Sequence, residues 1–334
     1  MVMKQKTYVL RCLMVCLILS VIGVCLAGCS DQLLEEGSTT ESVSEKVTTD
    51  KEGFVVGDDV DPLAFMEDAE HTLYAEFLKT GKSDSILLRM DDTVILVDTG
   101  DSDDYAAIQS KLDGYGIDTI DYLIITHYDN DHIGSADRVL EQYTVKTVYA
   151  PDYVRVSYAY DHLMDAVDHV VSRTSFLKIT EDVELDLGYG TLWINTPKLY
   201  ENGKVLGSDQ NNGTVEENNY SLVTEVTFGR ASLLLTGDAE EERMMEWKSA
   251  FETRYAGTIK NYTLMKLPHH GSHDAGIHAV LQAVMPRYGV VCSDEKTVET
   301  LLDTSVKSVG AALYHTYNGT VLFATDGSSW TVQQ

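Results

Sequence analysis

Cysteine, proline and basic residues are all scarce in this sequence. Its 334 residues include five Cys and five Pro, and 25 Lys and Arg face 53 Asp and Glu, for a formal net charge of −28. This composition excludes a collagen, a chain disordered over most of its length and a polytopic membrane protein. Because nucleic-acid affinity comes largely from Lys and Arg, it also argues against a surface that coats DNA or RNA.

The N-terminus carries a targeting segment. Three basic residues precede an uncharged apolar run from Cys12 to Leu26, which is marginal for a spanning helix. The run ends in Leu26-Ala27-Gly28-Cys29, which resembles the cleavage site of a bacterial lipoprotein. We therefore predict a signal peptide over residues 1–28, a lipidated Cys29 and an extracytoplasmic body anchored to the cell membrane by lipid. The alternative is an uncleaved membrane anchor. Cleavage would remove three basic and no acidic residues, which takes the net charge from −28 to −31.

The segment after the signal is predicted to be a disordered acidic tether over residues 29–67. It is rich in Ser, Thr, Asp and Glu and has no aromatic residue before Phe54, so it offers little apolar surface to repay ordering. Residues 68–334 form the predicted folded domain. Cys292 is the one Cys in that domain, so no intrachain disulfide can form there, and we expect a buried, inert thiol.

Short β-like runs alternate with helical spacing through the domain. Predicted strands cover residues 73–78, 86–90, 93–97, 122–126, 145–150, 183–187, 191–194, 221–228, 232–236, 263–267 and 289–292, with a closing hairpin near 312–324. Predicted helices cover residues 105–112, 133–143, 158–172, 239–250 and 276–285, and residues 201–219 form a polar loop. Since strands come in meanders with helices between them, in two similar halves, we expect an α/β fold of two mixed sheets packed face to face with helices outside.

The strongest chemical feature is the segment from His127 to His132, with the sequence His-Tyr-Asp-Asn-Asp-His. It follows an apolar strand of the kind that is buried on both faces. A tight loop at a strand end can point side chains into one pocket, so His127 and Asp129 suit one metal ion while Asp131 and His132 turn toward a second. The alternative is an acidic surface turn with two chance His residues, which the apolar lead-in disfavours.

Carboxylates and imidazoles also follow three other predicted strands. Asp98 follows the predicted strand 93–97, Asp238 follows the predicted strand 232–236, and His269 and His270 follow the predicted strand 263–267. Each motif is weak alone, because a Thr-Gly-Asp is usually a turn and a His pair often lies at the surface. In this order, with a strand before each, they indicate a metal site whose donors suit Zn²⁺, Mn²⁺ or Fe.

Together these motifs resemble the metallo-β-lactamase fold and, more closely, the hydrolase domain of the ComEC competence family. That subgroup has His-x-Asp-x-Asp-His where most of the superfamily has His-x-His-x-Asp-His, and its Asn-Asn-x-Ser-Leu-Val strand is matched by residues 218–223. The resemblance implies an αββα sandwich with a two-metal site on one edge. The sequence departs from the family in its opening segment, which reads Gly81-Lys82-Ser83-Asp84 here, and lacks a recognisable family segment after Asp294.

The resemblance also implies roles for individual residues, with a pair of divalent metal ions, Zn²⁺ or Mn²⁺, as the cofactor. The implied metal ligands are His127, Asp129, Asp131, His132, Asp238 and His270. Asp238 would bridge the ions, and we favour His270 over His269 as the ligand, with His269 donating to a substrate oxygen. Asp131 and His269 are the predicted catalytic residues. Asp98 would orient the His loop, and Asn219 would lie where most superfamily members have a further His ligand.

The predicted activity is hydrolysis of a phosphodiester at the cell surface. The acidic charge favours a small or cell-wall phosphoester as substrate and disfavours nucleic acid. One alternative is an extracellular DNase linked to DNA uptake. Others are hydrolysis of a lactone, thioester or β-lactam in the same site, and a non-catalytic surface binding protein that retains the fold.

Two groups near the motifs have a plain structural interpretation. Tyr153, Tyr158 and Tyr160 cluster with Arg155 before a helix and suit a lid or stacking wall, but ordinary packing is favoured. Lys266 precedes the His pair, and one interpretation is that its ammonium group offsets local negative charge. We instead expect it to be solvated, as Lys beside a strand usually is.

Overall fold

The computed structural model describes residues 66–198 and 217–334, apart from 274 and 297, and the short strands 48–49 and 55–56. Cys29, the predicted signal peptide and nearly all of the predicted tether lie outside the described residues, so these predictions stay as they were. The strands are β1 (Thr48–Thr49), β2 (Val55–Val56), β3 (Leu73–Phe77), β4 (Ile86–Met90), β5 (Thr93–Val97), β6 (Thr119–Ile124), β7 (Thr144–Pro151), β8 (Ser175–Ile179), β9 (Val183–Asp186), β10 (Gly190–Asn195), β11 (Val223–Phe228), β12 (Ala231–Leu235), β13 (Leu264–Lys266), β14 (Tyr288–Val291), β15 (Ala312–His315), β16 (Val321–Thr325) and β17 (Trp330–Gln333).

Helices connect these strands. They are α1 (Tyr105–Gly114), α2 (Asn130–Ile133), α3 (Ala136–Gln142), α4 (Tyr158–Val170), α5 (Glu241–Arg254), α6 (Ala275–Val284) and α7 (Thr300–Ser308), with 3₁₀ turns at Asn218–Tyr220 and His269–Gly271. Among the described residues, no helix is both long and apolar enough to cross a membrane.

The longer strands form two mixed sheets. One has the spatial order β17-β16-β3-β4-β5-β6-β7-β8, and the other has the order β15-β14-β13-β12-β11-β10-β9. Strands β5 to β8 run parallel in the first sheet, and β12 to β15 run parallel in the second. The carboxyl ends of parallel neighbours meet at one edge of a sheet, so loops that follow these strands are brought together.

Apolar runs explain why both sheets are covered on two faces. In β12, Leu233 and Leu235 pack between the sheets, whereas Leu234 packs against α5 and α6. In β5, Val97 packs between the sheets and Leu96 packs under α1, α3 and α4. Because successive side chains of a strand point to opposite faces, a strand buried on both faces has a continuous apolar run. The predicted αββα sandwich is therefore confirmed.

The predicted closing hairpin at 312–324 is wrong. Strand β15 pairs in parallel with β14 in one sheet, while β16 pairs with β3 and β17 in the other. The chain therefore crosses between the sheets after His315, and the true hairpin partner of β16 is β17. The sequence analysis also missed β8, β17, α2 and α7, and its helix over residues 133–143 begins three residues before α3.

Candidate metal centre

The candidate site lies where strand ends of the two sheets meet. Asp98 and His127 follow β5 and β6 of one sheet, while Asp238, His269 and Cys292 follow β12, β13 and β14 of the other. Each of these strands belongs to the parallel part of its sheet, which gives the loops a common edge. The sandwich therefore brings together motifs that are far apart in the chain.

The backbone at this edge adopts conformations that L residues rarely take. Asp98, His269 and His270 have φ values of 57°, 48° and 51°, and such left-handed residues cost of order 1–3 kcal/mol each. Gly237 has a φ of 55°, and a Cβ atom there would lie 2.9 Å from Cβ of Thr126. Glycine therefore lets the turn before Asp238 approach the His127 loop closely.

Four of the predicted ligands form one tight group, the four-donor cluster of Asp131, His132, Asp238 and His270. Their donor atoms all lie within 4.8 Å of one another. Oδ2 of Asp238 is 3.2 Å from Nε2 of His132 and 3.0 Å from Nε2 of His270. Nε2 of His270 is also 3.1 Å from Oδ2 of Asp131. This set of imidazole and carboxylate donors fits a divalent cation.

The buried carboxylate of Asp98 orients the ring of His132. Nδ1 of His132 donates to Oδ2 of Asp98 over 2.8 Å, and the backbone N–H and Oγ1–H of Thr126 also donate to Asp98, over 2.8 and 2.7 Å. Since Oγ1 of Thr126 donates its proton to Asp98, it can accept from Nδ1 of His127, which lies 3.1 Å away. In both His residues this arrangement directs Nε2 into the site, as in metal-binding His residues whose other nitrogen donates to a carboxylate.

His270 is oriented by the backbone of the second sheet. Its Nδ1 donates to the carbonyl oxygen of Cys292 over 2.9 Å, which leaves Nε2 for the cluster. His269, whose side chain is 28% exposed, lies at the opening instead, with Nδ1 3.7 Å from Oε1 of Glu240. The structure thus brings His270 to the other donors and leaves His269 at the rim.

The electrostatics of the cluster follow from burial and opposite charges. Burial lowers the pKa of His270, but Asp238 and Asp131 outweigh it and raise the pKa to about 9. The same competition raises the pKa of His132 well above its usual value, and it lowers the pKa of Asp238 well below its usual value. A divalent cation would replace the protons that these imidazoles hold among the carboxylates, so we expect binding to release protons.

The remaining two predicted ligands, the His127–Asp129 pair, are arranged differently. Nε2 of His127 lies 4.0 Å from Oδ1 of Asp129 and, although fully buried, has no hydrogen-bond partner. Burial and the nearby His132 lower the pKa of His127 well below its usual value, so its Nε2 carries a free lone pair. Oδ1 of Asp129, however, is in contact with the guanidinium of Arg155.

The side-chain oxygen of Asn219 is engaged by the backbone of a neighbouring helix. Asn219 is buried, and its Oδ1 accepts a hydrogen bond of 3.3 Å from the backbone N–H of Arg243, at the start of α5. Its amide nitrogen is the atom without a partner. The amide therefore contacts the helix that follows Asp238.

The expectation that Lys266 is solvated is wrong. Lys266 is fully buried, and its Nζ donates to the carbonyl oxygen of Gly237 over 2.7 Å and to Oδ1 of Asp238 over 3.1 Å. Nζ also contacts Oδ2 of Asp84, a buried carboxylate whose Oδ1 lies 3.6 Å from Nδ1 of His270. These carboxylates raise the pKa of Lys266 against the effect of burial, so the ammonium stays charged.

The sequence analysis did not select Asp84 as a site residue. The signal was present, because Asp84 lies in the segment that corresponds to the opening motif of the ComEC family.

The tyrosines near Arg155 divide as the packing interpretation predicts. Tyr153 and Tyr160 pack on the buried Tyr128, while Tyr158 is exposed.

An αββα sandwich with His and Asp donors at the edge shared by its sheets defines a metal-dependent hydrolase fold. The sequence model of the Metallo-beta-lactamase superfamily matches residues 78–293, and the chain belongs to this superfamily. It is 26% identical over 177 residues to ComE operon protein 3 of Bacillus subtilis (strain 168), a match that covers 53% of this chain and 20% of that protein. It is 27% identical over 222 residues to Competence protein ComA of Neisseria gonorrhoeae, with 64% and 26% covered.

These relatives belong to the ComEC competence family, so the resemblance inferred from the motifs is confirmed. The chain spans only about a fifth to a quarter of their length. Among solved structures it is similar to the metallo-beta-lactamase fold protein YhfI of Bacillus subtilis. That likeness has 14% identity, covers 77% of this chain and 100% of that chain, and has a TM-score of 0.49.

Proposed function

We propose that this protein is a metal-dependent phosphodiesterase that uses a pair of divalent ions, Zn²⁺ or Mn²⁺, at the cell surface, where a lipid on Cys29 anchors it. The observation that carries the proposal is the four-donor cluster, whose atoms lie within 4.8 Å of one another. The fully buried, unpartnered Nε2 of His127 beside it supports a second ion.

Each predicted ligand has a proposed ion to bind. His132, His270, Asp131 and Asp238 would hold one ion, and His127 and Asp129 would hold the other, with Asp238 shared. When bound, such ions lower the pKa of a water and stabilise charge on the attacking and leaving oxygens of a phosphoester. Asp98 holds His132 in the orientation that directs Nε2 to the site.

The proposal assigns two residues to act on the substrate itself. His269 lies at the opening, where its side chain is partly exposed and can donate a hydrogen bond to a substrate oxygen. The Asp131 side chain is 31% exposed at the edge of the four-donor cluster, so its carboxylate can accept a hydrogen bond from the attacking water and orient it. Both roles need a substrate oxygen near the rim of the site.

The charge of the chain supports a small or cell-wall phosphoester as the substrate. Duplex DNA carries one charge per about 1.7 Å, and binding it requires several Lys or Arg contacts. Here 25 basic residues face 53 acidic ones, and Lys266 is buried and paired. The second candidate is a DNase linked to DNA uptake, which the matches to competence proteins favour.

The test combines metal analysis with turnover of bis-p-nitrophenyl phosphate. We expect about two divalent ions per chain and hydrolysis that is lost in His132→Ala and His270→Ala. His169→Ala is the matched control, since His169 is an exposed residue of α4 paired with Glu141. Protein that contains no metal and cannot be loaded with any would contradict the proposal.

A salt series separates the two substrates. We expect little cleavage of duplex DNA with Mn²⁺ or Zn²⁺ at about 0.15 M salt, where phosphate contacts are screened. Rapid DNA degradation at that salt concentration, abolished by His270→Ala, would instead make the DNase the better assignment.

A further inference from the structure

The carboxylate of Asp129 has two neighbours of different kinds. Its Oδ1 contacts Nη1 of Arg155, and the same oxygen lies 4.0 Å from Nε2 of His127. His127 is fully buried and its Nε2 has no hydrogen-bond partner, so this nitrogen faces the site with its lone pair free. A cation held by His127 and Asp129 would therefore have to share Asp129 with a guanidinium.

Arg155 has a second carboxylate partner that keeps it in place. Nη1 of Arg155 lies 2.5 Å from Oε2 of Glu217, a residue that directly precedes the 3₁₀ turn Asn218–Tyr220. The side chain of Arg155 is 24% exposed and that of Glu217 is 11% exposed, so this contact is shielded from much of the solvent. Arg155 can thus move away from Asp129 without losing every charged partner.

Tyr153 holds the segment that carries Arg155 against the His127 loop and against Tyr220. Its hydroxyl accepts a hydrogen bond of 2.8 Å from the backbone N–H of Tyr128, which lies between His127 and Asp129. Its ring packs 4.1 Å from the ring of Tyr220, just beyond Glu217. Arg155 is therefore held beside the His127 loop by its own neighbours and not only by its ion pairs.

We propose that Arg155 is a built-in counter-ion that competes with the second metal ion for Asp129. This inference rests on the proposed function, because it concerns the second ion of that site. The guanidinium neutralises Asp129 when it is paired with it, and it repels a cation placed at the same carboxylate. Binding of the second ion requires Asp129 to exchange Arg155 for the ion, and Glu217 retains the released guanidinium.

The two partners of Arg155 should therefore have opposite effects. Removing the positive charge at Arg155 frees Asp129 and strengthens binding of the second ion. Removing the negative charge at Glu217 leaves Arg155 with Asp129 as its main partner and weakens binding of the second ion. A role of Arg155 in packing alone would weaken binding in both variants.

The test is calorimetric titration of the full chain, stripped of metal and kept in detergent, with Mn²⁺ and separately with Zn²⁺. We expect Arg155→Gln to tighten the second binding event by about fivefold or more, the lower end of typical coupling between two bound species, with the first event unchanged. Arg155→Lys, which keeps the charge, should restore the wild-type affinity. Glu217→Gln should weaken the second event. Arg254→Gln is the control, since Arg254 pairs with Glu184 at the surface.

The outcomes separate this inference from the proposed function. A second event that is unchanged or weaker in Arg155→Gln than in the control would overturn the inference, even if both ions bind. Protein that binds no ion in any form would overturn the proposed function itself. If Arg155→Gln does not fold, Arg155→Met is titrated in its place under the same criterion, and an unchanged or tighter second event in Glu217→Gln also contradicts the competition.

Discussion

The two halves of the candidate site use the same residue types but differ in what pairs with their carboxylates. In the four-donor cluster, Asp238 faces His132 and His270 with one oxygen and leaves the other to the buried Lys266. In the His127–Asp129 pair, the oxygen of Asp129 that lies nearer His127 is the one in contact with Arg155. Lys266 thus leaves free the Asp238 oxygen that faces the two imidazoles. Arg155 instead contacts the Asp129 oxygen that lies nearer His127.

This difference predicts unequal affinities for the two ions. At the oxygen of Asp238 that faces two imidazoles, a cation replaces only protons, whereas Asp129 must give up the Arg155 side chain first. We therefore expect the four-donor cluster to bind its ion more tightly.

Removal of the shared carboxylate should have the largest effect. Asp238→Asn should abolish tight binding of both ions, and with it hydrolysis, because Asp238 lies 3.0 and 3.2 Å from the two cluster imidazoles and the proposed function assigns it to both ions. Asp129→Asn should remove only the second binding event, so it serves as the matched variant. Metal analysis after dialysis measures both. A second binding event that survives in Asp238→Asn would show that the two halves do not share Asp238.

The next largest effect concerns stability and the buried cation. Lys266→Met should destabilise the metal-free protein by about 3–5 kcal/mol, since it removes the buried ammonium that both Asp84 and Asp238 contact. Urea unfolding in the presence of a chelator measures this change.

A surface lysine supplies the matched control for that experiment. Lys248→Met removes an i,i+4 pair with Glu252 on α5 and should change stability by less than about 1 kcal/mol. The double variant Asp84→Asn, Lys266→Met should recover part of the loss, because it removes one of the unpaired charges. Equal losses in Lys266→Met and Lys248→Met would contradict the structural role of Lys266.

The smallest effect is expected from a residue that orients a metal ligand without binding the ion itself. Asp98→Asn should weaken the first ion by about 10–100-fold, because Asp98 fixes the tautomer and orientation of His132 over 2.8 Å. The same titration of Asp303→Asn, which alters an exposed i,i+4 pair on α7, is the control. If Asp98→Asn binds both ions like the control, His132 does not depend on this carboxylate.

Local patterns in the sequence were sufficient to predict most strands and the donors that follow them. An apolar run such as that of β12 indicates burial on both faces, and a carboxylate or imidazole directly after such a run lies at the edge of a sheet. The resemblance of these motifs to the ComEC family then supplied the sandwich and the expected grouping of the ligands into one site, and the superfamily match supports the fold.

The tertiary structure alone decided which charges face one another. Asp131 and His270 meet across 139 residues of chain, and Lys266 reaches Asp84 from the other sheet, so no local spacing reveals that Lys266 is buried. The same limit explains why β15 and β16 looked like a hairpin, since each is short and the choice of sheet depends on distant partners. The sequence determined the kinds of donors and their strand ends, whereas packing between segments decided which carboxylates stay free, because burial and charge pairing depend on neighbours that are remote in the chain.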